Sequence, residues 1–182
     1  MLNKSVARRY AEAFFGIARE QNKIDQYQTE LETVVQSIQN IDQLKEYFAH
    51  LLIPPKEKKE VAQKIFAEQI SPITLNFILM IIDKKRETYI ELIVKEYVEM
   101  ADESRNIKKA ELFAATDVSD DELQSLAQKL STASGKTVQL KLRVDPSLLG
   151  GIKIRMGDQI IDGTVTKKLE MLKNELKQAK IS

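Results

Sequence analysis

The sequence predicts a mainly α protein, with an N-terminal six-helix bundle over residues 1–104 and a small C-terminal α/β domain with a short mixed sheet over residues 105–182. Three observations predict it. Ten of the eleven aromatic residues, but only one of the six glycines, precede residue 105. Apolar residues recur at steps of three and four in the first part, and strict alternation enters only in the second. The charge balance also turns, from 14 Lys+Arg against 17 Asp+Glu in the first part to 14 against 10 in the second.

In the first part, "IDQYQTELETVVQSI" places Ile24, Tyr27, Leu31, Val34 and Ile38 on one helical stripe. Asp42 is expected to cap a short helix whose Leu44, Tyr47, Phe48 and Leu51 face inward. "IPPKEKKEVAQKIF" opens on prolines, which suit a helix start because the first amides have no intrahelical partner. Ser71–Pro72 repeats that opening before the apolar run 73–82. Ile90, Ile93, Tyr97 and Met100 mark a sixth helix, and short connections favour packing as one bundle.

The polar stretch 102–110 is expected to join the two parts. Residues 109–116 read as a strand. Ser119 and Glu122 form a capping-box pattern for a helix ending near Gly135. "TVQLKLRVD" alternates Val138, Leu140, Leu142 and Val144 against polar neighbours, a half-buried strand. "GIKIRM" alternates as well, and "MGDQ" turns the chain before Ile160 and Ile161. Val165, Leu169, Leu172, Leu176 and Ala179 form one narrow seam on a last helix. Its first two turns are expected to pack on the sheet and its later turns to reach outward.

Composition excludes several classes of function. Hydrophobic residues at 43% and charged residues at 30% describe a soluble globular chain. A net charge of +1 leaves no basic footprint for nucleic acid. Cysteine is absent, so there is neither a disulfide framework nor thiolate chemistry. The single histidine, His50, ends a short helix, where a cation suits the dipole. It cannot build a multi-histidine metal site. The densest apolar run, 75–82, is too short to span a bilayer. The N-terminus lacks an apolar signal core and reads as part of the mature fold, on the cytosolic side.

Candidate chemistry is sparse. "SGKT" (134–137) resembles the end of a phosphate-binding loop, but Leu130 stands where the motif needs its first glycine. A glycine helix cap followed by a strand explains it. Gly150–Gly151 fits a bend, Gly157 a hairpin turn, and Asp162–Gly163–Thr164 a helix start at which Asp162 or Thr164 is the cap. Asp158 and Asp162 have no third ligand nearby in sequence. "PPKEKKE" and "DKKRE" read as solvated helix faces. A nucleotide-binding switch on the glycine-rich segment and a helical RNA adaptor are the competing readings.

The first helix is more informative. At 100° per residue, Val6, Ala7, Tyr10, Ala11, Ala13, Phe14, Phe15, Ile17 and Ala18 spread over an arc of about 200°, where roughly 100° suffices to meet one core. The run 73–82 is apolar nearly all round. Either both helices are buried inside the bundle, or they form a groove for a partner's amphipathic helix. Four additional apolar side chains at about 1.5–3 kcal/mol each give about 6–12 kcal/mol gross, before association costs.

Two segments carry a family resemblance over essentially the whole chain: "ARRYAEAFF" (7–15) and "VDPSLLGGIKIRMGDQIIDGTVTKKLEML" (144–172). With them the sequence resembles the delta subunit family of bacterial F-type ATP synthase, related to the mitochondrial oligomycin-sensitivity-conferring protein. Thr164 stands where the family commonly has serine and Lys168 where it has arginine. The resemblance implies a non-catalytic stator part of the proton-transporting ATP synthase, with no cofactor, no metal, no small-molecule substrate and no nucleic acid. It implies a peripheral position on the cytoplasmic face of the bacterial cell membrane, touching the membrane only through the complex. Residues 1–104 would bind the N-terminal helix of an alpha subunit between the first and fifth helices. The expected groove is Tyr10, Ala13, Phe14 and Ile17 against Leu75, Ile78, Leu79 and Ile82. Residues 105–182 would hold the C-terminal end of the b-subunit stalk. The expected signature positions there are Asp145, Gly150, Gly151, Gly157, Asp162, Gly163, Lys168, Leu169, Leu172 and Leu176.

Overall fold

The computed structural model describes the backbone of residues 3–157 and 159–179, with side chains to residue 174. The chain is mainly helical with one small four-stranded mixed sheet. It falls into two compact units, Met1–Ser104 and Arg105–Ser182.

The first unit holds α1 (Lys4–Glu20), α2 (Ile24–Asn40), α3 (Asp42–Ala49), α4 (Pro55–Phe66), α5 (Pro72–Asp83), a 3-10 turn (Glu87–Tyr89) and α6 (Ile90–Ser104). Local chemistry starts these helices. The Asn3 side chain accepts from the Ser5 amide, the Ser71 hydroxyl accepts from the Thr74 amide, and Pro55 and Pro72 each occupy a first turn. Asp42 is the first residue of α3 rather than its cap, and Ile41 precedes it without a capping hydrogen bond. Leu51 lies beyond the end of α3 and is 96% exposed, because the chain has already turned into the loop before the prolines.

One apolar core joins these helices. Phe14, Tyr27, Leu31, Phe66, Ile78, Ile81, Ile82, Ile93 and Tyr97 are almost fully enclosed in it. The Tyr97 hydroxyl donates to the Ile24 carbonyl at 3.0 Å, so the end of this large ring is satisfied where α6 meets α2.

The two charged runs are not simply solvated. Lys58 and Glu87 are buried, and the Lys58 ammonium donates to Glu87 Oε1 at 2.8 Å and to the Phe48 carbonyl at 2.6 Å. Lys58 thereby ties α4 to the end of α3 and to the 3-10 turn. Buried charge persists only when paired and hydrogen-bonded, and here both conditions hold.

The second unit opens with a two-residue turn, shorter than the expected joint, because α6 runs to Ser104 and β1 starts at Ile107. Asn106 makes that turn with φ 59°, a left-handed conformation that asparagine tolerates. Strands β1 (Ile107–Ala114), β2 (Thr137–Val144), β3 (Ile152–Met156) and β4 (Gln159–Asp162) lie in the order β2-β1-β3-β4. β1 and β2 are parallel and are joined through α7 (Asp120–Ser134), while β1–β3 and β3–β4 are antiparallel. Alternate residues Ala110, Leu112, Val138, Ile154 and Met156 form the core under Leu123, Leu126 and Leu130 of α7. The capping box forms as expected. The Ser119 side chain accepts from the Glu122 amide, and the Glu122 carboxylate accepts from the Ser119 amide. Gly135 closes α7 in the left-handed conformation. The last helix, α8, is Val165–Ala179.

Candidate functional site

The wide apolar arc of α1 divides in two. Ala7, Ala11, Phe14 and Ala18, spanning about 60° of the helix circumference, are buried. The next stripe, Val6, Tyr10, Ala13 and Ile17, stays at the surface, with Ile17 41% exposed. Phe14 marks the boundary. Its ring stacks on Phe77 of α5 and leans on Tyr27 and Tyr97, so it belongs to the core rather than to a groove wall.

α5 divides as well, but at a different phase from the one expected. Phe77, Ile78, Ile81 and Ile82 point inward, so Ile78 and Ile82 cannot line an open groove. Leu75 and Leu79 are half-buried on the flank away from Phe77, about 160° round the helix from it. Leu79 shares a surface depression with Lys56, Lys59, Glu60 and Gln63 of α4, and Asn76, Met80 and Asp83 complete its lining. The open edge beside Phe77 carries Ile73, Asn76 and Met80, and Met80 is 39% exposed. The phase of these three relative to a buried Phe77 is readable from the helix period once the stacking partner is known.

Tyr10, Ala13 and Ile17 thus lie on the flank of α1 next to Phe14, and Ile73, Asn76 and Met80 on the flank of α5 next to Phe77. The Phe14–Phe77 stack ties the two helices together. The start of α5 is pinned from α2. Glu30 accepts from Ser71 Oγ at 2.7 Å and from Thr74 Oγ1, while Gln26 donates to its other oxygen at 2.8 Å. Burial pushes the Glu30 carboxyl up, but these donors together outweigh it and hold it below its ordinary value.

In the second unit the signature residues are backbone devices. Asp145 follows β2, and its carboxylate accepts from the Ser147 hydroxyl and amide, which keeps it below its ordinary range. Gly150 and Gly151 make the bend before β3, and Gly157 follows β3 in the hairpin. Gly151 has no room for a side chain, since a Cβ there would come within 2.5 Å of the Gly163 carbonyl oxygen. Thr164, not Asp162, caps α8: its hydroxyl accepts from the Lys167 amide at 3.3 Å. Asp162 holds that threonine by accepting from its hydroxyl and amide, which lowers the Asp162 carboxyl.

α8 departs from expectation. Its start is held by the Val165 amide donating to the Gly150 carbonyl. Beyond that, Leu169 and Leu172 are 55% and 54% exposed, so the first two turns do not pack on the sheet. α7 already covers the apolar face of the sheet. Lys168 is exposed on α8. Asp158 and the side chain of Leu176 lie outside the described residues.

The arrangement offers little to a nucleotide. "SGKT" lies at the C-terminal end of α7, where unpaired carbonyls rather than amides would face a phosphate. Among the described residues, no group of three His, Cys, Asp or Glu side chains is placed to hold a metal ion. No helix among them is long and apolar enough to cross a membrane.

Comparison with known proteins gives a consistent result. A family model described as "ATP synthase delta (OSCP) subunit" matches residues 6–176. The chain is 66% identical to ATP synthase subunit delta of Syntrophomonas wolfei subsp. wolfei, covering 100% of both chains. It is 38% identical to the subunit of that name from Alkaliphilus metalliredigens, over 95% of this chain and 96% of the other. Among solved structures, a chain in the cryo-EM structure of the Toxoplasma gondii mitochondrial ATP synthase hexamer has the same fold. Its TM-score is 0.73 at 18% identity, covering 93% of this chain and 96% of that one.

Proposed function

The chain belongs to the ATP synthase delta (OSCP) subunit family, and from that membership we propose how its two units share the work of a stator. It is a non-catalytic stator subunit of F-type ATP synthase, peripheral within the complex. The first unit acts as a six-helix bundle that seats the N-terminal helix of an alpha subunit in the trough between α1 and α5. The second unit takes the C-terminal end of the b-subunit stalk on α8. The linkage keeps the catalytic head from turning with the rotor, at the cytoplasmic face of the bacterial membrane, so that proton flow drives ATP synthesis.

The observation that carries this reading is that Ile17 of α1 and Met80 of α5 are exposed on two helices joined by the Phe14–Phe77 stack, with Tyr10, Ala13 and Ile73 on the same flanks. An incoming amphipathic helix covers the exposed parts of these side chains, worth about 1–2 kcal/mol for each of the larger ones before association costs. The seam Val165, Leu169, Leu172 supports the second contact in the same way. Pull-down of the tagged chain from membranes is expected to recover both alpha and b subunits. Recovery of neither overturns the stator assignment. Deleting residues 173–182 is expected to weaken b while sparing alpha, and loss of alpha instead would refute the division of labour.

A further inference from the structure

We propose that the open face of the sheet in the second unit is a second docking surface, for an acidic amphipathic helix of a partner protein. The strand register places Lys109, Glu111 and Phe113 of β1, Gln139, Lys141 and Arg143 of β2, Lys153 and Arg155 of β3, and Ile160 and Asp162 of β4 on one face. That is the face opposite α7. Five cations there stand against two carboxylates. Glu111 is bound by Arg155 and, at 3.4 Å, by Arg143. Asp162 is engaged by Thr164.

A sheet with one wet face is ordinary, and lysine on an edge strand discourages edge-to-edge pairing. That accounts for Lys141 and Arg143 on the edge strand β2. Edge protection does not account for Lys109 and Lys153, because β1 and β3 are interior strands, while Arg155 is held by Glu111. The half-buried Phe113 lies between Arg143 and Lys153 in register, and the exposed Ile160 lies beside Arg155. The surface is thus basic, with Phe113 and Ile160 as its apolar members.

Adjacent strands are about 4.8 Å apart, and same-face residues along a strand about 6.7 Å. Carboxylates three or four apart on a helix are spaced by about 5–6 Å, which matches this grid, while an apolar seam between them meets Phe113 and Ile160. Phosphate polymers fit less well. Glu111 stands at the centre of the face, and the chain's net charge is only +1. This surface is separate from α8 and does not depend on how the stalk is bound.

The test uses the full chain and a fluorescent synthetic helix with a leucine seam flanked by glutamates, followed by anisotropy. Wild type is expected to bind it, less tightly as salt rises, and to ignore the lysine-flanked version. Lys141→Glu with Arg143→Glu is expected to weaken binding at least tenfold. Arg155 still holds Glu111 in that variant, and the milder Lys141→Gln, Arg143→Gln pair serves if the reversed chain fails to fold. Leu169→Asp with Leu172→Asp, and separately Ile17→Asp, are expected to leave binding within about twofold. Unchanged affinity in a folded charge variant overturns the proposal. So does loss of binding in the α8 or Ile17 variants, or tighter binding of phosphatidylglycerol vesicles or single-stranded RNA than of the peptide.

Discussion

The rings of Phe14 on α1 and Phe77 on α5 stack with centroids 4.2 Å apart and planes 16° apart. This contact decides which sides of the two helices face each other. It takes Phe14 and Phe77 into the core and leaves Ile17 of α1 and Met80 of α5 exposed on the helices it joins. Aromatic pairs of this kind add about 0.5–1.5 kcal/mol beyond the area they bury.

Ile17→Asp and Met80→Asp are each expected to weaken binding of an alpha N-terminal peptide at least tenfold, about 1.4 kcal/mol, with the thermal transition unchanged. Ile78→Asp, by contrast, places a carboxylate in the core and is expected to destabilise the first unit by more than about 3 kcal/mol. Peptide titration alongside thermal melts separates the two effects. Wild-type affinity in a folded Ile17→Asp, Met80→Asp double variant would refute the trough.

Removing the Lys58 ammonium strands Glu87 in the interior. Lys58→Met is expected to cost about 3–5 kcal/mol in urea unfolding, whereas Lys58→Met with Glu87→Leu recovers most of it. A double variant no more stable than the single one would show that the pair is not the source of the loss.

Glu30 predicts an acid dependence. Its folded pKa lies below the ordinary 4.5, so its contribution is fully present above pH 4.5 and fades as pH falls through the folded value. With screening, Glu30→Gln is expected to lose about 1 kcal/mol at neutral pH. The gap to wild type should close in acid. Urea midpoints across a pH series read this directly, and a gap that widens on acidification would contradict the sign.

Gly151→Ala combines a φ of +80° with a Cβ pressed onto the Gly163 carbonyl. It is expected to destabilise the second unit by about 1–3 kcal/mol and to loosen the start of α8. Amide exchange at Val165, whose N–H donates to the Gly150 carbonyl, is the direct measurement. Protection equal to wild type would mean that the bend absorbs the methyl group.

Sequence by itself determined the kinds of element and most of their ends. The period of Ile24, Tyr27, Leu31 and Val34, the prolines opening α4 and α5, the Ser119–Glu122 box and the Gly135 cap all act within a few residues, and such local chemistry is written in order along the chain. Tertiary structure alone decided which part of an apolar face stays open. Helical period gives the angle of Ile17 or Met80 around its own axis, but not the neighbour that covers it. The same limit explains Lys58 and Glu87, which look solvated until two distant turns close on each other. It also explains Leu169 and Leu172, which stand uncovered because α7 already occupies the apolar face of the sheet. Burial is a property of pairs of segments, and a periodic stripe in one segment specifies only half of each pair.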